Sequence, residues 1–410
     1  MRVLLSAIGS RGDVQPLLAL ACELQSIGVE ARLCVPPDFR DWIAGLGLEV
    51  TPIGPEVSKA SMSRPSAGQP APSPEQRSRM MAAFVEDQFE TIAAAADGCD
   101  VVLGATALQV ATASVAEQAH IPYVFAAYSP VVLPSRHHAP PPLPPIPGET
   151  PAPMSVDSEM LWARDADRFN TTFRAALNAS RATRGLAPVE DVRRQMFTDR
   201  PLLAADPTLA PWPGPTDAVV QTGAWLLADD GVLPIELETF LDAGDPPVYV
   251  GFGSTRASQD LGRVTIDAAR RLGRRAVVSR GWAELALVDD ESDCFAVGEV
   301  NLSALFRRVV AVVHHGGAGT TTLAALSGAQ VVIPHVYDQH YWAQRVQQLG
   351  IGTVNAPSSV TAGSLTNALA EAMTSDVATR ARSIAAHVSR DGARTAARHL
   401  VATVTARRQR

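Results

Sequence analysis

One stretch limits the folds open to this chain more than any other. Arg308-Val309-Val310-Ala311-Val312-Val313 is dominated by valine, breaks at His314-His315-Gly316-Gly317-Ala318-Gly319, and passes into Thr320-Thr321-Thr322-Leu323-Ala324-Ala325-Leu326. The apolar run predicts a buried strand, and the threonine-led run beyond the glycines predicts a helix. A strand, a glycine turn and a helix start aim backbone N–H groups and the positive end of a helix dipole at one spot. That arrangement holds a phosphate without a metal. The Thr320 and Thr321 hydroxyls add donors, and His315 adds one that becomes cationic beside an anion. A diphosphate is the expected ligand of this turn.

The same alternation of short β runs and helical stretches recurs along the chain. Strands are expected at Arg2–Ala7, Glu30–Val35, Asp100–Gly104 and Pro122–Ala126, with helices at Gln15–Ile27, Phe39–Leu46 and Thr106–Gln118. The second half repeats the scheme, with strands at Val248–Gly251, Ala276–Ser279, Val309–Val313 and Val331–Ile333. Its helices are expected near Leu261–Leu272, Thr321–Leu326 and Tyr341–Leu349. The fold class is therefore α/β, two Rossmann-like doubly wound parallel-sheet domains facing a cleft. Proline and glycine cluster from Pro211 to Gly223, which sets the expected boundaries at 1–215, 216–390 and a basic C-terminal helix, 391–410, packing back across the seam. Two Pro- and Ser-rich segments, Ser58–Ser78 and Arg136–Pro153, read either as surface padding or as a lid over a bound molecule.

Composition excludes several classes. A net charge of −7 leaves no basic footprint for nucleic acid, and no apolar run reaches membrane-spanning length, so no nucleic acid and no stable membrane insertion are expected. The opening strand is too short for a signal peptide, and Cys22, Cys34, Cys99 and Cys294 are scattered with no CxxC pair. A cytoplasmic protein with reduced core cysteines is the expectation. Lys59 is the only lysine. A P-loop, a kinase phosphate lysine and Schiff-base chemistry are thereby removed or hard to place.

At the N-terminus, Gly9-Ser10-Arg11-Gly12-Asp13 follows the first strand and opens a helix. Asp13 at a cleft mouth can take a proton from a hydroxyl nucleophile. It can equally be a helix cap, and spacing alone leaves the two readings even. Asp165-Ala166-Asp167 is a carboxylate pair, but its flanks read as a solvated helix and no metal is assigned to it. His314 is read as structural, His335 and His340 as loop histidines without metal-ligand spacing. His137-His138 touch either a bound molecule or nothing.

Gln221-Thr222-Gly223-Ala224-Trp225, Pro247-Val248-Tyr249-Val250-Gly251-Phe252-Gly253-Ser254, Ser279-Arg280-Gly281-Trp282 and Gly298-Glu299-Val300-Asn301 complete a series with the two glycine turns and Asp338-Gln339. In this order the motifs resemble the GT-B glycosyltransferases of natural-product biosynthesis (family 1), closest to the glycopeptide-antibiotic glycosyltransferases of actinomycetes. The resemblance implies inverting, metal-independent transfer of a sugar from a TDP- or UDP-sugar, a substrate and not a cofactor, to a hydroxyl of a natural-product aglycone. It implies Asp13 as general base with Ser10 on the acceptor side. Arg11, Ser254, His315, Gly316, Gly317, Gly319 and Thr320 are placed on the nucleotide diphosphate, Trp282 and Val300 on the base, and Asp338 and Gln339 on the donor sugar. His315 is also expected to assist departure of the diphosphate. A polyketide, sterol or lipid acceptor is the alternative, since lipid enzymes share the N-terminal motif; no basic-aromatic docking face is visible here. A nucleotide-sugar epimerase, or a silent nucleotide-sugar-binding partner, is the alternative of another class.

Overall fold

The computed structural model describes residues 1–58, 72–143, 156–254, 259–281 and 291–408. Its strands are apolar almost throughout: in Arg2–Ala7 only Arg2 escapes full burial, and all of Val248–Gly251 and Ala311–His314 is buried. Strands covered on both faces belong in parallel sheets, and every strand pair here is parallel. The first sheet contains β1 (Arg2–Ala7), β2 (Glu30–Val35), β3 (Glu49–Pro52), β4 (Val101–Ala105), β5 (Tyr123–Ala127), β6 (Leu202–Leu203) and β7 (Val220–Gln221), in the order β3-β2-β1-β4-β5-β6-β7. The second contains β8 (Val248–Gly251), β9 (Ala276–Ser279), β10 (Cys294–Val297), β11 (Ala311–His314), β12 (Ala329–Val332) and β13 (Gly352–Val354), in the order β10-β9-β8-β11-β12-β13.

Strand order reverses between β1 and β4 and again between β8 and β11. Open α/β sheets bind ligands in the crevice outside the carboxyl ends at such a reversal. The loops that emerge there are Gly9–Ser10 after β1, Phe252–Ser254 after β8 and His315–Gly317 after β11. The fold thus delivers both glycine turns to switch points.

The strands β1, β2, β8 and β9 occupy the residues expected of them. Val309 and Val310 stay outside β11, and the helix expected from Thr106 begins only at Thr112, because Thr106 sits in a turn at φ 74°. The boundary expected at 215/216 falls inside the stretch that closes the first sheet. There β7 pairs Val220 with Leu202, and the Thr222 N–H then donates to the Leu203 carbonyl at 3.0 Å. The chain returns to the first domain in helix Gly392–Arg408, where Ala393, Ala396, Ala397, Leu400 and Val404 pack into the same core as Leu17, Leu20 and Leu24 of helix Arg11–Ser26.

Two features tie the domains together. One apolar cluster runs from Phe125, Leu133, Phe197 and Val219 in the first domain to Val332, Trp342 and Val346 in the second. The two passages of chain between domains also touch at glycines. A methyl on Gly392 would lie 2.3 Å from the Ala224 carbonyl oxygen, and one on Gly223 (φ +92°) 3.2 Å from the Gly392 Cα. Among the described residues no helix is long and apolar enough to cross a membrane.

Candidate functional site

The N-terminal turn is built around a carboxylate folded back on its own loop. Ser10 donates its backbone N–H to Asp13 Oδ2 at 2.6 Å and its hydroxyl to the same oxygen at 3.1 Å. A methyl on Gly9 would lie 2.2 Å from that oxygen, so only glycine fits there. The capping role is therefore real. It does not exhaust the group, since no hydrogen bond among the described residues reaches Oδ1. Burial raises the Asp13 pKa to about 6, against the opposing effect of the Ser10 hydrogen bonds. A carboxylate in that range is a working base near neutral pH. Behind it, the partly buried Tyr128 donates its hydroxyl to the Asp13 carbonyl at 2.9 Å and meets Trp225 edge-on, ring centroids 6.1 Å apart. Tyr128 carried no sequence signal, because it reaches Asp13 across 115 positions.

The second turn places His315 between glycines. A methyl on Gly317 would lie 2.6 Å from His315 Nε2, and one on Gly253 3.3 Å from Cε1. Gly316, at φ +91°, lies where a methyl would meet Val332 Cγ1 at 2.9 Å and the Gln339 carbonyl oxygen at 3.0 Å. Gly317 is the N-cap of helix Ala318–Ala325, with Gly319 exposed and Thr320 partly exposed on its first turn. Thr321 is turned inward, its hydroxyl donating to the Gly317 carbonyl at 2.9 Å, which removes it as an outward donor. His314 is buried at the end of β11. Its Nδ1 accepts from the Gly316 N–H at 3.1 Å, which leaves Nε2–H to donate to Gln330 Oε1 at 2.9 Å. It stitches the turn to the sheet.

Without an anion beside it, His315 carries no charge. Burial, then the neighbouring imidazoles of His314 and His335, push its pKa down to about 3, so the ring is neutral at physiological pH. Its buried Nδ1 has no hydrogen-bond partner. A neutral imidazole still donates one N–H, and a nearby anion raises its pKa. His335 is part of this neighbourhood, its ring 6.0 Å from Phe252, whereas His340 is exposed.

The loop between β12 and helix Gln339–Leu349 completes the cleft. Asp338 Oδ2 accepts from the Trp342 indole at 3.1 Å. Burial raises the Asp338 pKa to about 6, and the charge of Asp13, within electrostatic reach across the domain seam, adds to the rise. Gln339 Oε1 accepts from the backbone N–H groups of His335 at 2.8 Å and Val336 at 3.1 Å, so its carbonyl end braces the loop. Tyr337, at φ 57°, is a left-handed non-glycine residue immediately before Asp338, as strained positions at functional sites often are.

The remaining expected residues sit differently. Arg11 is engaged across the seam, paired with Glu299 at 2.7 Å and stacked 4.6 Å over the Trp42 ring. It thereby joins the two domains at the N-terminal turn. Val300 is partly buried beside Glu299, and Ser254 is partly exposed in the turn after β8. Trp282 lies outside the described residues, as does Lys59. The helix around Asp165 is solvated on one face, with Ala163, Arg164 and Asp167 exposed, but Asp165 itself is turned inward. Asp165 is buried in an ion pair with Arg193 Nε at 2.6 Å, and Arg193 lies 3.7 Å over Phe169. Sequence could not show this, because the partner is 28 positions away. His138 stands edge-on to Trp162 and Trp212, at 6.0 and 6.1 Å. No group of three His, Cys, Asp or Glu suited to a metal occurs among the described residues.

Known proteins resemble this chain along its full length. Residues 3–135 match the glycosyltransferase family 28 N-terminal domain, and residues 276–401 match the erythromycin biosynthesis protein CIII-like C-terminal domain. Glycosyltransferase GtfE of Amycolatopsis orientalis is 47% identical, with 98% of each chain covered. Vancomycin aglycone glucosyltransferase of the same organism is 45% identical, covering 99% of this chain and 98% of its own. Among solved structures, glycosyltransferase VinC in complex with DTDP superposes with a TM-score of 0.67 at 21% identity, covering 99% of this chain and 100% of its own.

Proposed function

The chain belongs to the GT-B glycosyltransferase family of the Amycolatopsis orientalis proteins just described, and from that premise we propose that it transfers a sugar, with inversion and without a metal, from a TDP- or UDP-sugar to a hydroxyl of a glycopeptide aglycone. The observation that supports the reading is a pair of carboxylates, Asp13 and Asp338, one from each domain, within electrostatic reach of each other and each with its pKa raised to about 6. An acceptor held on the first domain then meets a sugar held on the second.

In this scheme Asp13 accepts the proton of the acceptor hydroxyl as its oxygen attacks the anomeric carbon. The bond from that carbon to the diphosphate oxygen breaks with its electron pair, and the nucleoside diphosphate departs on the opposite face. The N–H groups at the start of helix Ala318–Ala325 and the neutral His315 stabilise the charge that develops there, with Ser254 and Thr320 in reach of the phosphates. Preorganised donors of this kind are commonly the largest catalytic contribution. Asp338 and Gln339 serve the sugar, and Val300 the base. The glycopeptide class rests on the full-length similarity to vancomycin aglycone glucosyltransferase. TDP is the first donor nucleotide to try, because the solved relative VinC holds it.

Calorimetric titration of TDP and UDP, with chelator present, into wild type and His315→Ala tests the donor half. Binding to wild type that weakens at least tenfold in the variant is expected. Binding that appears only with divalent metal overturns the scheme.

A further inference from the structure

A nucleoside diphosphate brings negative charge to the second glycine turn, yet no residue from Gly316 to Thr321 is cationic. The helix there offers N–H groups and a partial positive end, and the adjoining His315 ring is neutral at rest. A formal positive charge is available from the other domain. Arg11 opens helix Arg11–Ser26, which approaches helix Ala318–Ala325 across the seam. Its guanidinium already reaches the second domain, where Nη1 meets Glu299 Oε1 at 2.7 Å, one residue before Val300.

Two contacts within the first domain hold that guanidinium in place. Its Nε donates to Gln15 Oε1 at 2.9 Å, and its central carbon lies 4.6 Å from the centre of the Trp42 ring. Both leave the Nη1 edge to the seam. The contact with Glu299 is of another kind. The Glu299 side chain is 79% exposed and that of Arg11 38%, so their attraction is weakened by water and screened by salt. A cavity of about 340 Å³ adjoins the pair, lined by Asp38, Trp42 and Glu56 of the first domain and by Glu299 of the second. The tip of the guanidinium has room to change partner there.

An exposed pair of this sort adds little to the fold, but it occupies a cation that an anion on the neighbouring turn can use. A diphosphate is the stronger partner, because it carries more charge than a carboxylate and takes the arginine fork through two oxygens at once. Resting on the nucleotide-sugar reading above, we propose that Glu299 and the donor's diphosphate compete for Arg11, so that the carboxylate yields the guanidinium as the donor binds and recaptures it as the nucleoside diphosphate leaves. Glu299 then acts through Arg11 and touches no substrate. It keeps the spent nucleotide from being held too tightly, since every departure is matched by a new ion pair.

A double-mutant cycle on the full chain tests this, with TDP and UDP titrated calorimetrically into wild type, Glu299→Gln, Arg11→Ala and the double variant. Glu299→Gln is expected to tighten the nucleotide that wild type binds by about two- to fivefold at low salt, the worth of one exposed ion pair. The gain should fade at high salt. It should vanish in the Arg11→Ala background, and the matching bare nucleoside, thymidine or uridine, followed by NMR titration, should bind Glu299→Gln as it binds wild type. Unchanged or weaker nucleotide binding in Glu299→Gln overturns the proposal. So does a gain that survives without Arg11, which would make Glu299 a simple repellent of anions, or one that the nucleoside shares. Wild type that binds neither TDP nor UDP sinks the donor reading and the proposal with it; wild type that binds, with no gain in Glu299→Gln, sinks the proposal alone.

Discussion

Asp13→Asn separates what this carboxylate does for catalysis from what it does to the fold. Asparagine keeps the shape, and its Oδ1 can still accept from the Ser10 N–H and hydroxyl that now hold Asp13 Oδ2 at 2.6 and 3.1 Å. The cap survives and the charge does not. Because burial raises the Asp13 pKa from 3.8 to about 6, the native state holds this proton more tightly than the unfolded chain. Stability from that proton is fully present below about pH 4 and is lost as pH rises through 6. At about 1.4 kcal/mol per pKa unit, the ionised side chain costs the fold up to about 3 kcal/mol at pH 8, an upper bound for a partly exposed group. Asp13→Asn is therefore expected to melt several degrees higher than wild type at pH 8, with the gap closing as the pH is lowered towards 4. Turnover should meanwhile fall by about 10²–10⁴, the usual worth of a general base. Scanning calorimetry at pH 8, 6 and 4.5, beside initial rates at pH 8, checks both halves. A variant less stable than wild type at pH 8, or one that keeps more than a tenth of the rate, refutes the reasoning.

Three further outcomes rest on the same geometry. The kcat/KM of wild type should fall as the pH drops through about 6, and in Asp338→Asn that limb should move to lower pH, because a like charge facing Asp13 has been removed; a pH–rate profile measures the shift. Tyr128→Phe, which loses only the hydrogen bond to the Asp13 carbonyl, should lower kcat about three- to tenfold and leave the acceptor KM unchanged in steady-state kinetics. Gly316→Ala puts a methyl 2.9 Å from Val332 Cγ1 at φ +91° and should cost about 1–3 kcal/mol, read as a lower thermal midpoint together with weaker TDP binding by calorimetry.

The strands and the two glycine turns were legible because the signals are local. A strand buried on both faces has little room for polar residues, so β1 and β8 appear as largely apolar runs, β8 ending at Gly251 and β1 followed closely by Gly9. The identity of Asp13 as a cap or a base was not legible, because both uses require the same residue at the same place, and only the burial of the folded cleft raises its pKa. The resting charge of His315 was not legible either: its burial, and the imidazoles of His314 and His335 that further disfavour its proton, are in place only after β11 and β12 have paired. The Asp165–Arg193 pair shows the opposite limit. Asp165 looked like half of a surface motif, and only tertiary packing drew it inward against a guanidinium that itself stacks on two phenylalanines. Arg11 likewise carried a motif position but found its partner, Glu299, on the other domain.

The touching glycines at 223 and 392 have a topological consequence. The second domain is an insertion into the first: it begins and ends at one point, where a methyl on either glycine would already crowd the other passage. In the fold its entry and exit lie side by side, so replacing the stretch between them lengthens no linker and adds little loop-closure entropy. Exchanged between relatives as a cassette, such a unit carries the second glycine turn and Asp338 with it while Asp13 stays behind. Under the proposed scheme, the half that holds the sugar and the half that holds its acceptor are then free to change independently.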